Sequence, residues 1–157
     1  MDQPVRVVFD TNVLLSMFVF QDSRFAPFRG EVASGRWKAL TSVACLAEYR
    51  RVLAYPLFDL DAPRQAAAYA DYLSLVDLVE PAGDMAQPPA DLPKCKDRDD
   101  QKFLELARDG QAHWLVTADK LLLRLRRGRR LDGLFRLLTP DELLVTLNLG
   151  AGQPAPD

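Results

Sequence analysis

A short apolar strand near the start of the chain ends on a carboxylate. Residues 5–9 form a β-branched and aromatic run that is typical of a buried strand, and Asp10 follows it directly. In an open α/β sheet, ligands bind outside the carboxyl ends of the strands. A carboxylate buried there needs a partner, so Asp10 either caps the next helix or belongs to a binding site.

Asp119 stands in a comparable place, after the apolar strand predicted for residues 114–117. Capping of the following helix is one role for Asp119, but its position at a strand end matches that of Asp10. We therefore expect these two carboxylates to converge at one edge of the sheet.

An acidic run over residues 97–100 precedes an apolar helix. Three apolar residues follow Asp100 at the spacing i+3, i+4 and i+7: Phe103, Leu104 and Ala107. Asp100 is therefore predicted to lie on the core-facing stripe of that helix, where a carboxylate needs a partner such as a metal ion. Asp99 falls off the stripe and is predicted to face solvent. Asp97 keeps two possible roles, as a helix cap or as an outer metal ligand.

Carboxylates that converge on one point repel each other unless a cation neutralises them. Hard oxygen ligands suit Mg²⁺ or Mn²⁺, which lower the pKa of bound water and hold both oxygens of an in-line displacement at phosphorus. Metal-assisted phosphodiester hydrolysis is therefore the predicted chemistry. Thr11 and Thr117 are expected to orient carboxylates, and Asn12 to hold a metal-bound water or a phosphate.

Other catalytic machinery is not evident in the sequence. His113 is the only histidine, whereas histidine-based ribonuclease chemistry needs two such groups. Cys45, Cys95 and His113 lack zinc-ligand spacing, and both cysteines are predicted to be free thiols in a reducing compartment. A haloacid-dehalogenase phosphatase needs an aspartate where Asn12 stands, and a Rossmann-type nucleotide site needs glycines that are absent after residue 10.

Length and composition fit one compact domain. The 157 residues, of which 48% are hydrophobic, can bury a substantial core. The apolar stretches are too short to span a membrane and the first residues lack a signal-peptide core, so we expect a cytoplasmic protein with no membrane partner. We predict a folded domain over residues 1–149 and a disordered tail over residues 150–157.

Strands and helices alternate along the chain, which predicts a three-layer α/β/α sandwich with a central parallel sheet. The predicted strands cover residues 5–9, 37–40, 76–79, 114–117 and 134–138. Glu80, after the third strand, is expected to face solvent, and a Pro-rich loop over residues 81–93 leads to the acidic run. Thr139 to Glu142 form a capping box for the last helix.

The helix predicted after Thr41 or Ser42 carries Glu48. A stripe of residues on that helix is predicted to face the core, namely Val43, Leu46, Ala47, Arg50 and Leu53. Glu48 then falls on roughly the opposite face, so periodicity alone favours a solvated glutamate.

The net charge of −2 gives no overall attraction for RNA, but one segment is strongly basic. Directly after Asp119 come Lys120, Arg124, Arg126, Arg127, Arg129 and Arg130. Such a segment is either a solvated face or, beside a carboxylate site, a path for the phosphates of a nucleic acid.

The order of these parts resembles the PIN-domain family of metal-dependent ribonucleases, and more narrowly its VapC-like branch, the toxin components of toxin–antitoxin systems. The matching stretches are VVFDTNVLLS, AEYRRVL, KDRDDQKFLELA, WLVTADKLLL and LLTPDELL. In one departure, Ala118 stands where the family usually has glycine.

The resemblance implies a PIN-like fold, an RNA substrate, Mg²⁺ or Mn²⁺ as cofactor, a homodimer and a small antitoxin protein as partner. It also implies that Glu48 joins Asp10, Asp100 and Asp119 as a catalytic residue. The alternative is a non-catalytic module that keeps this fold and binds RNA or protein.

Overall fold

The computed structural model describes residues 3–81 and 90–152, and for 149–152 the backbone alone. Its strands are β1 (Val5–Phe9), β2 (Trp37–Thr41), β3 (Val76–Leu78), β4 (Trp114–Val116) and β5 (Arg136–Leu138). Its helices are α1 (Thr11–Phe18), α2 (Ala26–Ala33), α3 (Val43–Leu53), α4 (Ala62–Leu73), α5 (Gln101–Asp109), α6 (Lys120–Leu123) and α7 (Pro140–Gly152). Short 3₁₀ turns cover Ser23–Phe25, Pro56–Phe58, Arg98–Asp100 and Arg124–Arg127.

The five strands form one parallel sheet in the order β3-β2-β1-β4-β5. From β1 the chain builds β2 and β3 on one side, and then returns to build β4 and β5 on the other. The strand order therefore reverses between β1 and β4, which is where open α/β sheets bind their ligands. The register sets Phe9 beside Val116, so the residues that follow these two strands start side by side.

Helices cover both faces of the sheet because side chains alternate along each strand. Val7 and Phe9 pack into one core with residues of α1, α2, α3, α4 and α7. Val8 and Leu115 face the opposite core, which α5 and α6 cover. The predicted three-layer α/β/α sandwich with a central parallel sheet is thus confirmed.

Several predicted boundaries shift by a few residues. Helix α1 begins at Thr11 because the Asp10 side chain accepts a hydrogen bond from the Val13 amide and caps it. The capping box at the start of α7 forms as predicted, and Glu80 is exposed. Helix α7 extends to Gly152, through the first residues of the predicted tail. Residues 153–157 and most of the predicted Pro-rich loop, 82–89, lie outside the described residues.

No helix in the described parts of the chain combines the length and the apolar character needed to cross a lipid bilayer.

The predicted core face of α3 is correct for Leu46 and Leu53 and wrong for its other three residues. The structure buries Cys45, Tyr49 and Leu53, whereas Val43 is 69% exposed and Ala47 and Arg50 face solvent. The helix packs against α1, α4 and α5 through one buried face that is rotated from the predicted one. Leu46 and Val52 pack against the core on this face, and Glu48 lies at its margin. Tyr49 inserts between α3 and α4, where its hydroxyl donates a hydrogen bond of 3.2 Å to the carbonyl of Ala68.

Gly110 lets α5 approach the sheet closely. A Cβ atom on this buried residue would lie 2.8 Å from Leu40 Cδ1 and 3.1 Å from Val79 Cγ2.

We expect Gly110→Ala to lower the free energy of unfolding by about 1–3 kcal/mol, through overpacking. Gly30→Ala in α2 is the matched control, because a Cβ there would meet no atom within 4 Å. Alanine also has a higher helix propensity than glycine, so this variant should not lose stability. Urea denaturation measures both, and equal stability of the two variants would contradict the prediction.

Candidate metal centre

Asp10 is a buried carboxylate held by two donors at the carboxyl end of β1. It is 5% exposed, and its Oδ1 accepts a hydrogen bond of 3.0 Å from the Val13 amide. Its Oδ2 accepts a hydrogen bond from the hydroxyl of Thr117, a fully buried residue that directly follows β4. The β1–β4 register explains this pair, since the Asp10 amide also donates to the Val116 carbonyl at 3.0 Å.

Three further aspartates meet beside this position. Asp97, Asp100 and Asp119 each offer a carboxylate oxygen, and these oxygens all lie within 4.8 Å of one another. Asp97 is exposed, whereas Asp100 and Asp119 are half-buried. We call these residues the acidic cluster. The structure brings together residues from two separate segments, the 3₁₀ turn before α5 and the start of α6.

Two members of the acidic cluster, Asp119 and Asp97, are held by the local backbone. Asp119 caps α6, accepting 2.7 Å and 3.4 Å hydrogen bonds from the Leu121 and Leu122 amides. Asp97 caps the turn before α5 and accepts a 3.0 Å bond from the Asp99 amide. Both residues are therefore caps as well as cluster members, and Asp99 itself is exposed as predicted.

One oxygen of Asp100 stands out. Its Oδ2 is buried and accepts no hydrogen bond from any described residue. Asp100 continues the apolar stripe of α5, because Phe103, Leu104 and Ala107 are all buried as predicted. A buried carboxylate oxygen without a donor is costly, and a cation is the partner that would satisfy it.

Burial and mutual repulsion change the acidity of these groups. The pKa of Asp10 is raised from 3.8 to about 6. Burial is the largest cause and the charges of Asp119 and Glu48 add to it, while the hydrogen bonds from Thr117 and the Val13 amide oppose it. The pKa of Asp100 rises to about 7, first through burial, then through the neighbouring carboxyl group of Asp119 and the charges of Asp97 and Asp10. Such shifts follow when carboxylates are crowded together without a cation.

Glu48 lies in the site despite its predicted exposure. Its side chain is only 14% exposed, and Oε1 lies 2.7 Å from the Nζ of Lys102. Its Oε2 accepts a hydrogen bond from the Thr11 hydroxyl, so Thr11 orients a carboxylate as expected. Asn12, the other predicted supporting residue, is exposed in the first turn of α1.

Sequence reasoning missed two polar residues of α5. Lys102 pairs with Glu48, as described, and Gln101 fixes the segment that delivers Asp97. The side-chain Oε1 of Gln101 accepts a 2.8 Å hydrogen bond from the Cys95 backbone amide, and its Nε2 donates one of 3.2 Å to the Pro93 carbonyl. Neither residue belongs to a motif of its own, and both roles depend on contacts with distant parts of the chain.

Other residues discussed from the sequence have structural roles. Cys45 and Cys95 are buried free thiols, and burial raises the pKa of Cys45 to about 11. The Nδ1 of His113 accepts a 2.9 Å hydrogen bond from the Arg6 amide and so extends the β1–β4 pairing. Ala118 replaces the usual glycine without strain, since its φ is not positive.

The basic segment forms α6 and the 3₁₀ turn after it, directly beyond Asp119. Four of its cationic residues line a surface hollow of about 400 Å³: Lys120, Arg124, Arg126 and Arg127. Arg126 also pairs with Glu142 at 2.7 Å, and Arg130 lies 3.9 Å from Asp91. Arg129 is exposed. Within the described ranges, Arg124, Arg127 and Arg129 form no ion pair.

The arrangement fits a divalent cation with hard oxygen ligands. The acidic cluster supplies three carboxylates, and the Asp100 oxygen without a donor could be satisfied by a cation. Asp10 lies beside the cluster, close enough for its charge to raise the pKa of Asp100. These four aspartates are the residues that could hold Mg²⁺ or Mn²⁺.

The raised pKa of Asp10 makes the metal-free protein less stable as the pH rises. Between its unfolded pKa of 3.8 and its folded pKa of about 6, the native state binds more protons than the unfolded state. The free energy of unfolding therefore falls with pH in that window. We expect Asp10→Asn to remove this loss and to stabilise the metal-free protein by up to about 3 kcal/mol above pH 7.

Thermal melts in chelator at about pH 5 and about pH 8 measure this effect, which should be larger at the higher pH. Asp99→Asn is the control, because that side chain is exposed and should show no such trend. An Asp10→Asn advantage that is absent, or that shrinks with rising pH, would contradict the assignment.

Comparison with known proteins bears on the whole arrangement. A comparison with curated proteins found no match. A family model described as the PIN domain matches residues 6–121, well over half of the chain. The matched region contains Asp10, Glu48 and all three members of the acidic cluster. On this match, and with the parallel sheet that places those carboxylates at one edge, the chain belongs to the PIN domain family.

Proposed function

We propose that this PIN domain is a divalent-metal-dependent endoribonuclease that hydrolyses RNA phosphodiester bonds. PIN domains are generally nucleases, which places the chain among phosphodiester hydrolases in broad terms. The observation that supports the finer proposal is the acidic cluster, with a buried oxygen of Asp100 that lacks a donor. The resemblance noted from the sequence supports RNA as the substrate.

The protein's own residues would prepare the site in three ways. Thr117 and the Val13 amide fix the Asp10 carboxylate, so that it does not swing away. The α6 amides fix Asp119, while Asp100 keeps an oxygen free. A bound Mg²⁺ or Mn²⁺ would activate the attacking water and stabilise charge on the phosphate oxygens. Positioning the carboxylates before the ion arrives reduces the rearrangement that catalysis requires.

The basic segment would carry the RNA backbone to this site. Its hollow begins at Lys120, the residue after Asp119, so phosphates bound there lie near the acidic cluster. The overall charge of −2 offers no general attraction, which makes a local cationic path necessary.

We extend the proposal to the biological role suggested by the toxin-like resemblance. In this view the protein is the toxin of a toxin–antitoxin pair, acts as a homodimer and is restrained by a small antitoxin protein in the cytoplasm. A small open reading frame next to this one in the genome would support that role.

Three neighbouring aspartates give a sharp test of the catalytic proposal. We expect Asp100→Asn to lower single-turnover RNA cleavage by roughly a hundredfold or more, because the unpartnered oxygen is lost as a ligand. Asp97→Asn should cost about tenfold, as an exposed outer ligand. Asp99→Asn should cleave like the parent protein. Cleavage is measured at saturating Mn²⁺, and chelator should abolish it.

Asp99→Asn is the matched control in this series, since it makes the same chemical change one residue away on an exposed side chain. Thermal melts confirm that each variant is folded. A folded Asp100→Asn variant that cleaves like the parent, or cleavage that resists chelation, would contradict the proposal. RNA binding without any cleavage by the parent would favour the non-catalytic module instead.

The basic segment generates a separate prediction about binding. We expect the double variant Arg124→Gln/Arg127→Gln to weaken RNA binding and to reduce the slope of log affinity against log salt by about one unit. Mn²⁺ affinity should stay unchanged. Arg51→Gln/Arg64→Gln, which removes two exposed arginines from other surfaces, is the control. An unchanged salt slope in the first variant would show that RNA takes another path.

A further inference from the structure

Lys102 places a fixed positive charge against Glu48. Its Nζ lies 2.7 Å from Glu48 Oε1, and the two side chains are only 19% and 14% exposed. The same ammonium group donates a hydrogen bond to the Asp99 carbonyl and lies 5.3 Å from the centre of the Phe103 ring. Lys102 is therefore held from several sides, unlike a surface lysine that samples solvent.

Glu48 is satisfied by the chain itself. One oxygen faces Lys102 and the other accepts the Thr11 hydroxyl. Asp100 is in the opposite condition, because its buried Oδ2 has no donor within the described residues. Both oxygens of Glu48 thus have partners, whereas one oxygen of Asp100 has none.

The site therefore divides into two halves. The acidic cluster brings three carboxylates within 4.8 Å and does not include Glu48. Two-metal nucleases place their ions about 3.5–4 Å apart, with carboxylates shared between them. An ion bound to Glu48 Oε1 would sit about 2.1 Å from that oxygen, next to an ammonium group already in contact with it. The two cations would repel each other.

We propose that Lys102 occupies the position of a second cation, holding Glu48 so that the centre takes a single divalent ion at Asp97, Asp100 and Asp119. Lys102 is then a positioning residue rather than a catalytic one. This inference rests on the proposed metal-dependent function. It also gives Glu48 a defined role, as the anchor of a built-in cation instead of a direct metal ligand.

Counting bound ions tests the inference without relying on cleavage. Isothermal titration with Mn²⁺, together with electron paramagnetic resonance, should find one Mn²⁺ per parent chain and no coupled Mn²⁺ pair. Lys102→Met removes the charge but keeps an unbranched chain, and leaves Glu48 free. We expect that variant to bind a second Mn²⁺ and to show the signal of a coupled pair. Lys102→Arg should restore the single ion.

Two further variants make the result specific. Lys102→Met/Glu48→Gln should return to one ion, because the second ion depends on the freed Glu48 carboxylate. Lys38→Met is the matched control, since it breaks the Lys38–Asp77 ion pair of 2.9 Å on the sheet away from the site. It should leave the ion count unchanged.

The possible outcomes distinguish a failure of the proposed role of Lys102 from a failure of the proposed metal-dependent function. Two ions in the parent, or one ion in a folded Lys102→Met variant, would overturn the role of Lys102. If Lys102→Met does not fold, Glu48→Gln decides: a Mn²⁺ affinity within about twofold of the parent supports the inference, and a loss of about tenfold or more overturns it. No Mn²⁺ binding by the parent would refute the metal-dependent function itself.

Discussion

The parallel pairing of β1 with β4 is the constraint on which the site depends. Their register sets Phe9 beside Val116, so both strands end at the same level of the sheet, and each is followed by a helix. Asp10 and Asp119 cap those helices, which fixes their carboxylates through backbone amides. Thr117 links the two turns, because its hydroxyl donates to Asp10 and accepts from the Asp119 amide at 3.0 Å. One pairing therefore aligns the two carboxylates.

This convergence has a cost in the metal-free state. Burial and repulsion raise the pKa of Asp10 to about 6 and that of Asp100 to about 7, so the folded protein holds these groups against their preferred ionisation. The two hydrophobic cores on either side of the sheet must offset that cost. A cation that binds the native state would reverse it, since binding to the folded form alone adds stability. The crowded carboxylates therefore lower the stability of the metal-free protein, and under the proposed function a bound ion would restore it.

Local periodicity predicts much of this arrangement, and its failures have a common cause. Strand-end carboxylates and the Asp100 stripe follow from patterns within one element, and the structure agrees with them. Glu48 does not, because α3 packs against α1, α4 and α5 through a face rotated from the one that its residue spacing suggests. Only the family resemblance recommended Glu48. Lys102 left no signal at all, since its partner lies on another helix and the distance between helices is not encoded in spacing along one segment.

The match to the PIN domain model ends at residue 121, and most of the basic segment lies beyond it. The carboxylates therefore belong to the part of the chain shared with the family, whereas all the arginines of the basic segment lie outside that match. Within this segment Arg126 and Arg130 already have acidic neighbours, which reduces their attraction for phosphate. Lys120, Arg124 and Arg127 line the hollow beyond Asp119 and form no ion pair within the described residues. Under the proposed function, substrate binding could therefore change without disturbing the carboxylates, because substitutions on the surface beyond residue 121 leave the β1–β4 register in place.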